Sequence, residues 1–154
     1  KLDEGEFDAL ILAVAGLERL GLADRIRERI VPPVMYHAVG QGALGIECRV
    51  ADEELRAILS RIGDGPTWSR VTAERSLLRD LRGGCHAPVG VASEWSETEL
   101  SLEGVVLSAD GQERVVERRT GIPSEGERLG LDVAAALRAR GADELLQPKS
   151  ESGE

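Results

Sequence analysis

The residues best suited to chemistry lie in Leu81-Arg82-Gly83-Gly84-Cys85-His86-Ala87-Pro88-Val89-Gly90. One cysteine sits in a glycine-flanked turn, after a helical pattern and before a strand pattern. Glycines there allow positive φ and let a ligand approach the backbone closely. Pro88 removes a donor and stiffens the exit from the turn. A thiol so placed can be an exposed nucleophile, but a free thiol can equally be a small buried hydrophobe. Residue type leaves both open. Cys48, in the strand-like run Gly45-Ile46-Glu47-Cys48-Arg49-Val50, reads as a packed thiol. Two cysteines make no disulfide framework. Cys85 and His86 are adjacent with no CxxC or HxxxH spacing, so no metal site is expected.

A second pattern, Gly40-Gln41-Gly42-Ala43-Leu44-Gly45, matches G-x-G-x-x-G letter for letter. The dinucleotide fingerprint needs a strand before it and a helix N-terminus after it. Here Ile46 to Val50 reads as a strand, so no helix dipole would face a pyrophosphate. The dinucleotide reading is rejected, and the glycines are read as a hinge or turn.

Composition narrows the rest. A chain of 154 residues can bury a real core, and 42% hydrophobic with 31% charged residues fits a soluble globular protein. No apolar run approaches the roughly 20 residues of a membrane helix, so no membrane partner is expected. The net charge of -9 argues against nucleic acid, which needs a basic face. Lys1 and Lys149 are the only lysines, so the positive charge is nearly all arginine. Arginine suits carboxylate ligands through its bidentate fork, although a codon bias explains most positions as well.

In chain order, Phe7 to Ala15 (FDALILAVA) is an apolar run that predicts a strand buried on both faces of a parallel sheet. Leu17 to Leu20 and Leu22 to Ile30 read as helical around Gly21, and Pro32-Pro33 stop the helix. Asp52 to Ile62 predicts an amphipathic helix with an acidic first turn and a stripe of Leu55, Ile58, Leu59 and Ile62. Gly63-Asp64-Gly65 breaks it, and Pro66 opens the next helix. In that helix Trp68, Val71, Leu77, Leu78 and Leu81 form the expected inner face, and Gly83 the stop. Candidate strands follow at Val89 to Trp95, Leu100 to Leu107 and Arg114 to Arg119, with a hairpin turn at Ala109-Asp110-Gly111. Leu129 to Arg140 is a helix closed by Gly141, a short helical turn covers Asp143 to Leu146, and Pro148 to Glu154 is expected to be disordered.

The expected fold class is thus α/β plus α+β. The first part is the tail of an α/β region; the second is a small α+β domain with a three-stranded antiparallel sheet and helices.

Three stretches carry a family resemblance: Phe7 to Ile26 (FDALILAVAGLERLGLADRI), Ala38 to Arg49 (AVGQGALGIECR) and Ala73 to Gly90 (AERSLLRDLRGGCHAPVG). Together they resemble porphobilinogen deaminase, also called hydroxymethylbilane synthase, in order from about residue 6 to 147. The resemblance implies the C-terminal half of such an enzyme. Residues 1–38 would be the last part of a periplasmic-binding-protein-like domain 2. Residues 39–63 would be a return segment of domain 1, residues 64–147 domain 3, and 148–154 a tail.

The resemblance also implies chemistry. In this family the Gly-Gly-Cys cysteine carries a dipyrromethane cofactor through a thioether, which falls on Cys85, with Gly84 beside it. The enzyme deaminates porphobilinogen and joins four units head to tail on that primer to give hydroxymethylbilane, in tetrapyrrole (heme) biosynthesis. A covalent primer holds the acceptor beside each arriving monomer, an effective-concentration gain. Each pyrrole bears acetate and propionate groups, which arginine would hold. Arg19 matches a substrate-binding arginine, Gly16 a position where backbone meets the cofactor, and Gln41 a ligand-contacting glutamine. From the residues alone, Arg19 could be a solvated helix charge and Gln41 a turn cap. Arg25, Arg27 and Arg29 read as solvated charges.

The family's catalytic aspartate falls on a segment absent here, so no catalytic residue is expected in this chain and it is expected to be inactive alone. The implied partners are porphobilinogen, the oligopyrrole intermediates and the missing N-terminal half. The full-length enzyme would be a cytoplasmic monomer, with an organellar location left open by the absent N-terminus. The alternative is a non-catalytic split subunit that works as a partner of an N-terminal chain.

Overall fold

The computed structural model describes residues 1–82 and 87–147. These fall into two compact units, Lys1–Met35 and a second beginning at Tyr36.

The first unit holds one helix, α1 (Val14–Arg19), and a single 3-10 turn at Ala23–Arg25. The strand expected over Phe7 to Ala15 is not formed: residues 7–13 have no regular structure, and Val14 and Ala15 open α1. Ile11 is 71% exposed, where burial on both faces was expected. The reason is physical. A strand satisfies its N–H and C=O groups only through a neighbour, and the first unit has no strand among the described residues. The expected break at Gly21 is present, but the helical stretch expected over Leu22 to Ile30 is reduced to one turn. Gly21 turns the chain at φ +71, and only the 3-10 turn follows.

In the second unit, α2 (Glu53–Ser60) forms as the sequence predicts, with Asp52 accepting the Leu55 N–H as N-cap. Its apolar stripe is uncovered, Ile58 and Ile62 being more than half exposed. The strand expected at Ile46 to Val50 is absent, and Cys48 is half-buried rather than packed in a core. Helix α3 (Gly65–Asp80) starts at Asp64, whose side chain accepts the Thr67 N–H at 2.8 Å, with Pro66 in the first turn. The Thr67 hydrogen bonds hold the Asp64 carboxyl below its usual range.

The strands match expectation closely: β1 (Val89–Trp95), β2 (Leu100–Leu107) and β3 (Arg114–Gly121) form an antiparallel sheet in the order β1-β2-β3. Gly111, at φ +70, turns the chain between β2 and β3. Helix α4 (Gly126–Ala139) and α5 (Ala142–Leu146) follow, joined by Gly141 at φ +91.

Alternation sorts the sheet into two faces. Val91, Leu100, Leu102 and Val106 meet Leu77, Val133 and Leu137 of the helices in the core. Gly104 leaves room for that layer, because a Cβ there would lie 2.8 Å from Leu77 Cδ1. Helices α3 and α4 approach each other through glycine. A Cβ on Gly126 would lie 2.7 Å from the Ser69 carbonyl, and one on Gly130 would collide with Ser76 Oγ and the Ala73 carbonyl. Ser76 Oγ also donates to the Glu127 carbonyl at 2.6 Å.

This contact corrects the expected inner face of α3. Trp68 is 76% exposed, not core. The α4 contact selects Ser69, Ala73, Ser76 and Leu77, and a residue next to Ser69 points about 100° away from that face. The left-handed residue past α3 is Arg82, at φ +52, while the expected stop, Gly83, lies outside the described residues.

Gly130→Ala is expected to destabilise the second unit by about 1–3 kcal/mol through overpacking. A chemical denaturation midpoint equal to that of the unsubstituted chain would contradict the glycine contact.

Candidate functional site

Cys85 and Gly84, the residues with the most specific chemical expectation, lie outside the described residues. The residues on either side of them in the chain are described, and both sides are anchored. On the entering side Leu81 is buried in the core. Arg138 of α4 pairs with Asp80 and also donates to the Asp80 carbonyl, capping the end of α3. Asp143 of α5 holds the same guanidinium at 3.3 Å. On the leaving side the Pro88 carbonyl accepts from Leu107 N–H at 2.9 Å, continuing the β1–β2 ladder. A cleft of about 640 Å³ borders the entering flank, lined by Asp80, Leu81, Arg82, Arg138 and Leu146 among others.

Gly16 and Arg19 lie in the first unit, three residues apart on α1, so they share a helix face. Open space surrounds the Gly16 Cα. Arg19 is exposed, and among the described residues it has no carboxylate partner. Its neighbours differ: Arg25 pairs with Asp3, and Arg29 with Glu18 at 2.6 Å. A free guanidinium beside an open glycine is chemically fit to take an anionic group. The described residues contain no cluster of His, Cys, Asp and Glu able to hold a metal ion.

Gln41 lies in the second unit, in the turn Ala38 to Gln41. Its N–H donates to the Ala38 carbonyl at 3.0 Å, and its Oε1 accepts the Ala38 N–H at 3.1 Å. The side chain therefore caps its own turn through Oε1, and the residue as a whole is exposed. Gly40 and Gly42 take φ +71 and +87, as a turn requires, and no helix starts at Ile46. This geometry agrees with the rejection of a dinucleotide fingerprint.

Two polar contacts in this region were missed by sequence reasoning. The first is Glu74, 3% exposed on α3, whose Oε2 accepts the Gly40 N–H at 2.8 Å and whose Oε1 accepts from Ser93 Oγ at 2.6 Å. A signal existed: Glu74 stands on the inner stripe of its helix, three residues before Leu77. The second is Tyr36, which crosses the outer sheet face. Its hydroxyl donates to Glu103 Oε1, and its Cβ lies so near Gly90 that a Cβ there would be only 2.6 Å from it. The next residue extends the sheet, as Val91 N–H donates to the His37 carbonyl at 2.9 Å. Burial, then the hydrogen bond and charge of Glu103, push the Tyr36 phenol up to about 12.

Comparison with known proteins agrees with the resemblance in the sequence. A family described as "Porphobilinogen deaminase, C-terminal domain" matches residues 68–139, and one described as "Porphobilinogen deaminase, dipyromethane cofactor binding domain" matches residues 1–57. Among similar proteins, the porphobilinogen deaminase of Synechococcus elongatus is 51% identical over 146 residues, covering 95% of this chain and 46% of the relative. That of a Nostoc species is 51% identical over 95% of the chain and 45% of its own length. That of Gloeobacter violaceus is 48% identical, again over 95% and 45%. The chain spans about half the length of the curated relatives it matches.

Tyr36 is the one tyrosine of the chain, so its tyrosinate absorbance can be titrated without overlap. The expected midpoint is about 12, and Glu103→Gln should lower it while leaving the part due to burial. Because the folded value is raised, the stability this phenol contributes is present below its ordinary value near 10 and is lost as pH rises from there through about 12. A midpoint at the ordinary value would contradict the buried hydrogen bond.

Proposed function

The chain belongs to the porphobilinogen deaminase family, and from that premise we propose that it supplies the C-terminal portion of a deaminase that builds hydroxymethylbilane. Identity of 51% over 146 residues, with Gly83-Gly84-Cys85 inside the stretch 68–139 that matches the family's C-terminal domain, carries the reading. The reaction is the joining of four porphobilinogen units on a dipyrromethane primer. When bound, that primer supplies a tethered pyrrole acceptor, so the growing chain does not diffuse away. Cys85 is its thioether anchor, with Gly84 giving the backbone room to approach.

Arg19 is read as holding a pyrrole carboxylate, supported by its exposure and its lack of a carboxylate partner among the described residues. Gly16 lies beside it with open space for a ligand. Gln41 is read as a contact made through its amide. Residues 1–38 are read as the tail of a periplasmic-binding-protein-like domain, 39–63 as a return segment of the first domain, and 64–147 as the third. Separate family matches to residues 1–57 and 68–139 support a boundary between the last two. The catalytic aspartate belongs, on this reading, to the half of the relatives that the chain does not span. The chain alone would be inactive, acting with that half on porphobilinogen, as a cytoplasmic monomer when complete.

A second reading, a non-catalytic partner of a separate N-terminal chain, is favoured by the exposure of Ile11, Leu12, Leu44 and Val50.

The test is reconstitution with the N-terminal half of the Synechococcus relative. Activity toward porphobilinogen is expected, with intact mass showing two added pyrrole units. Cys85→Ala should abolish both. Arg19→Leu should lower kcat/KM by about 10–100-fold, the value of a charge-assisted contact, and Arg19→Lys should restore only part of it. Association without activity would favour the second reading. Full activity of the Cys85→Ala chain would overturn the first.

A further inference from the structure

Among the described residues Glu74 is the one charged side chain buried in the interior. It is placed where three segments meet. It stands on α3, seven residues before Leu81, which is about 10 Å of helix from the end that precedes Cys85 in the chain. Its Oε1 takes the hydroxyl of Ser93 on β1, the strand that follows Cys85. Its Oε2 takes the N–H of Gly40, next to Gln41. Burying a carboxylate is costly unless its oxygens are satisfied, and here both have donors. An apolar residue on this stripe would have packed without that requirement. The carboxylate earns its place by what it holds.

The held turn has no helix or strand of its own to stiffen it. Between Tyr36 and α2 the chain has no regular structure beyond the bridge at His37. Gly40 takes φ +71 and is flexible by itself. The Gln41 side chain bonds only within the turn, so it stiffens the turn but does not fix its position. Val39 packs against the core beside it, and the hydrogen bond that fixes the Gly40 N–H, on the Gln41 side, is the one to Glu74.

We propose that Glu74 is a positioning residue: its carboxylate sets the Gln41 turn in register with α3 and β1, the elements that precede and follow Cys85 in the chain. The proposal rests on the reading of Gln41 as a ligand contact. Glu74 does not touch the substrate. It acts through the Gly40 amide, and its effect on the reaction is to hold the Gln41 turn at a constant place relative to α3 and β1.

The first measurement is amide hydrogen exchange at Gly40 in the full 154-residue chain. Glu74→Met fills similar volume but accepts no hydrogen bond, and should speed Gly40 exchange about 10–100-fold while the β2 amides change little. Glu74→Gln should stay near the unsubstituted rate, because its oxygen can accept from Gly40 and its NH2 can donate to the Ser93 hydroxyl. Glu74→Ala serves if the Met variant does not fold. Unchanged Gly40 exchange, or equal acceleration of every amide, would overturn the latch.

The second measurement is KM for porphobilinogen in the reconstituted enzyme. Gln41→Ala and Glu74→Met should each raise it severalfold, the double variant no more than the worse single one, and Glu74→Gln should restore it. A raised KM for Gln41→Ala with an unchanged one for Glu74→Met would overturn the positioning role and leave the Gln41 reading standing. An unchanged KM for Gln41→Ala would overturn the Gln41 reading, and the positioning role with it.

Discussion

Helices α3 and α4 touch backbone to backbone, and the rest of the second unit depends on that contact. With Gly126 and Gly130 on one side and Ser69, Ala73 and Ser76 on the other, no side chain separates the two helices. Their axes can then sit close enough for Leu77 and Leu137 to reach the same layer of the sheet, over Gly104. A core of this kind is close-packed, so one added methyl has nowhere to go. The same contact fixes which residues of α3 face inward. It puts Glu74 inside and Trp68 outside, and it brings Arg138 over the end of α3.

Within the second unit, the segment from Tyr36 to Gly40 is bound to the sheet and α3 by polar contacts as well as by packing. Tyr36 covers Gly90 and Val105 on the outer sheet face, His37 adds a rung to β1, and Glu74 holds Gly40 from the helix side. Arg118 completes the outer face, donating to Glu94 and to Ser101. Ion pairs as exposed as Arg118–Glu94 are worth little individually. The buried contacts weigh more, because breaking them leaves a group with no water to replace its partner.

The first unit shows the limit set by backbone hydrogen bonding. Its apolar run, Phe7 to Ala13, has the composition of a buried strand but no neighbouring strand among the described residues of its unit. Hydrophobic pattern supplies a preference for a face, while only a paired edge satisfies the N–H and C=O groups. Without one, the run stays irregular and exposed. Arg19 is exposed too, but for a polar group that is an ordinary condition, and it leaves the guanidinium open to an anion.

The sequence by itself determined the elements whose signals are local: the three strands, the Gly111 turn, the helix starts at Asp52 and Pro66 and the Gly141 stop. Each rests on caps, alternation or positive φ within a few residues, so no distant partner is needed to read it. The Gly-Gly-Cys motif and the family it belongs to were legible for the same reason, as a contiguous pattern. What only the tertiary structure decided were the pairings across many residues, such as Gly130 against Ala73, Tyr36 against Glu103 and Glu74 against Gly40. In each, the residue type is compatible with several environments. A glutamate on a helix is ordinarily solvated, and a tryptophan ordinarily covered, until the neighbouring helix chooses which face is inside. That choice belongs to packing, because the free energy of a face depends on what covers it and not on the residues that compose it.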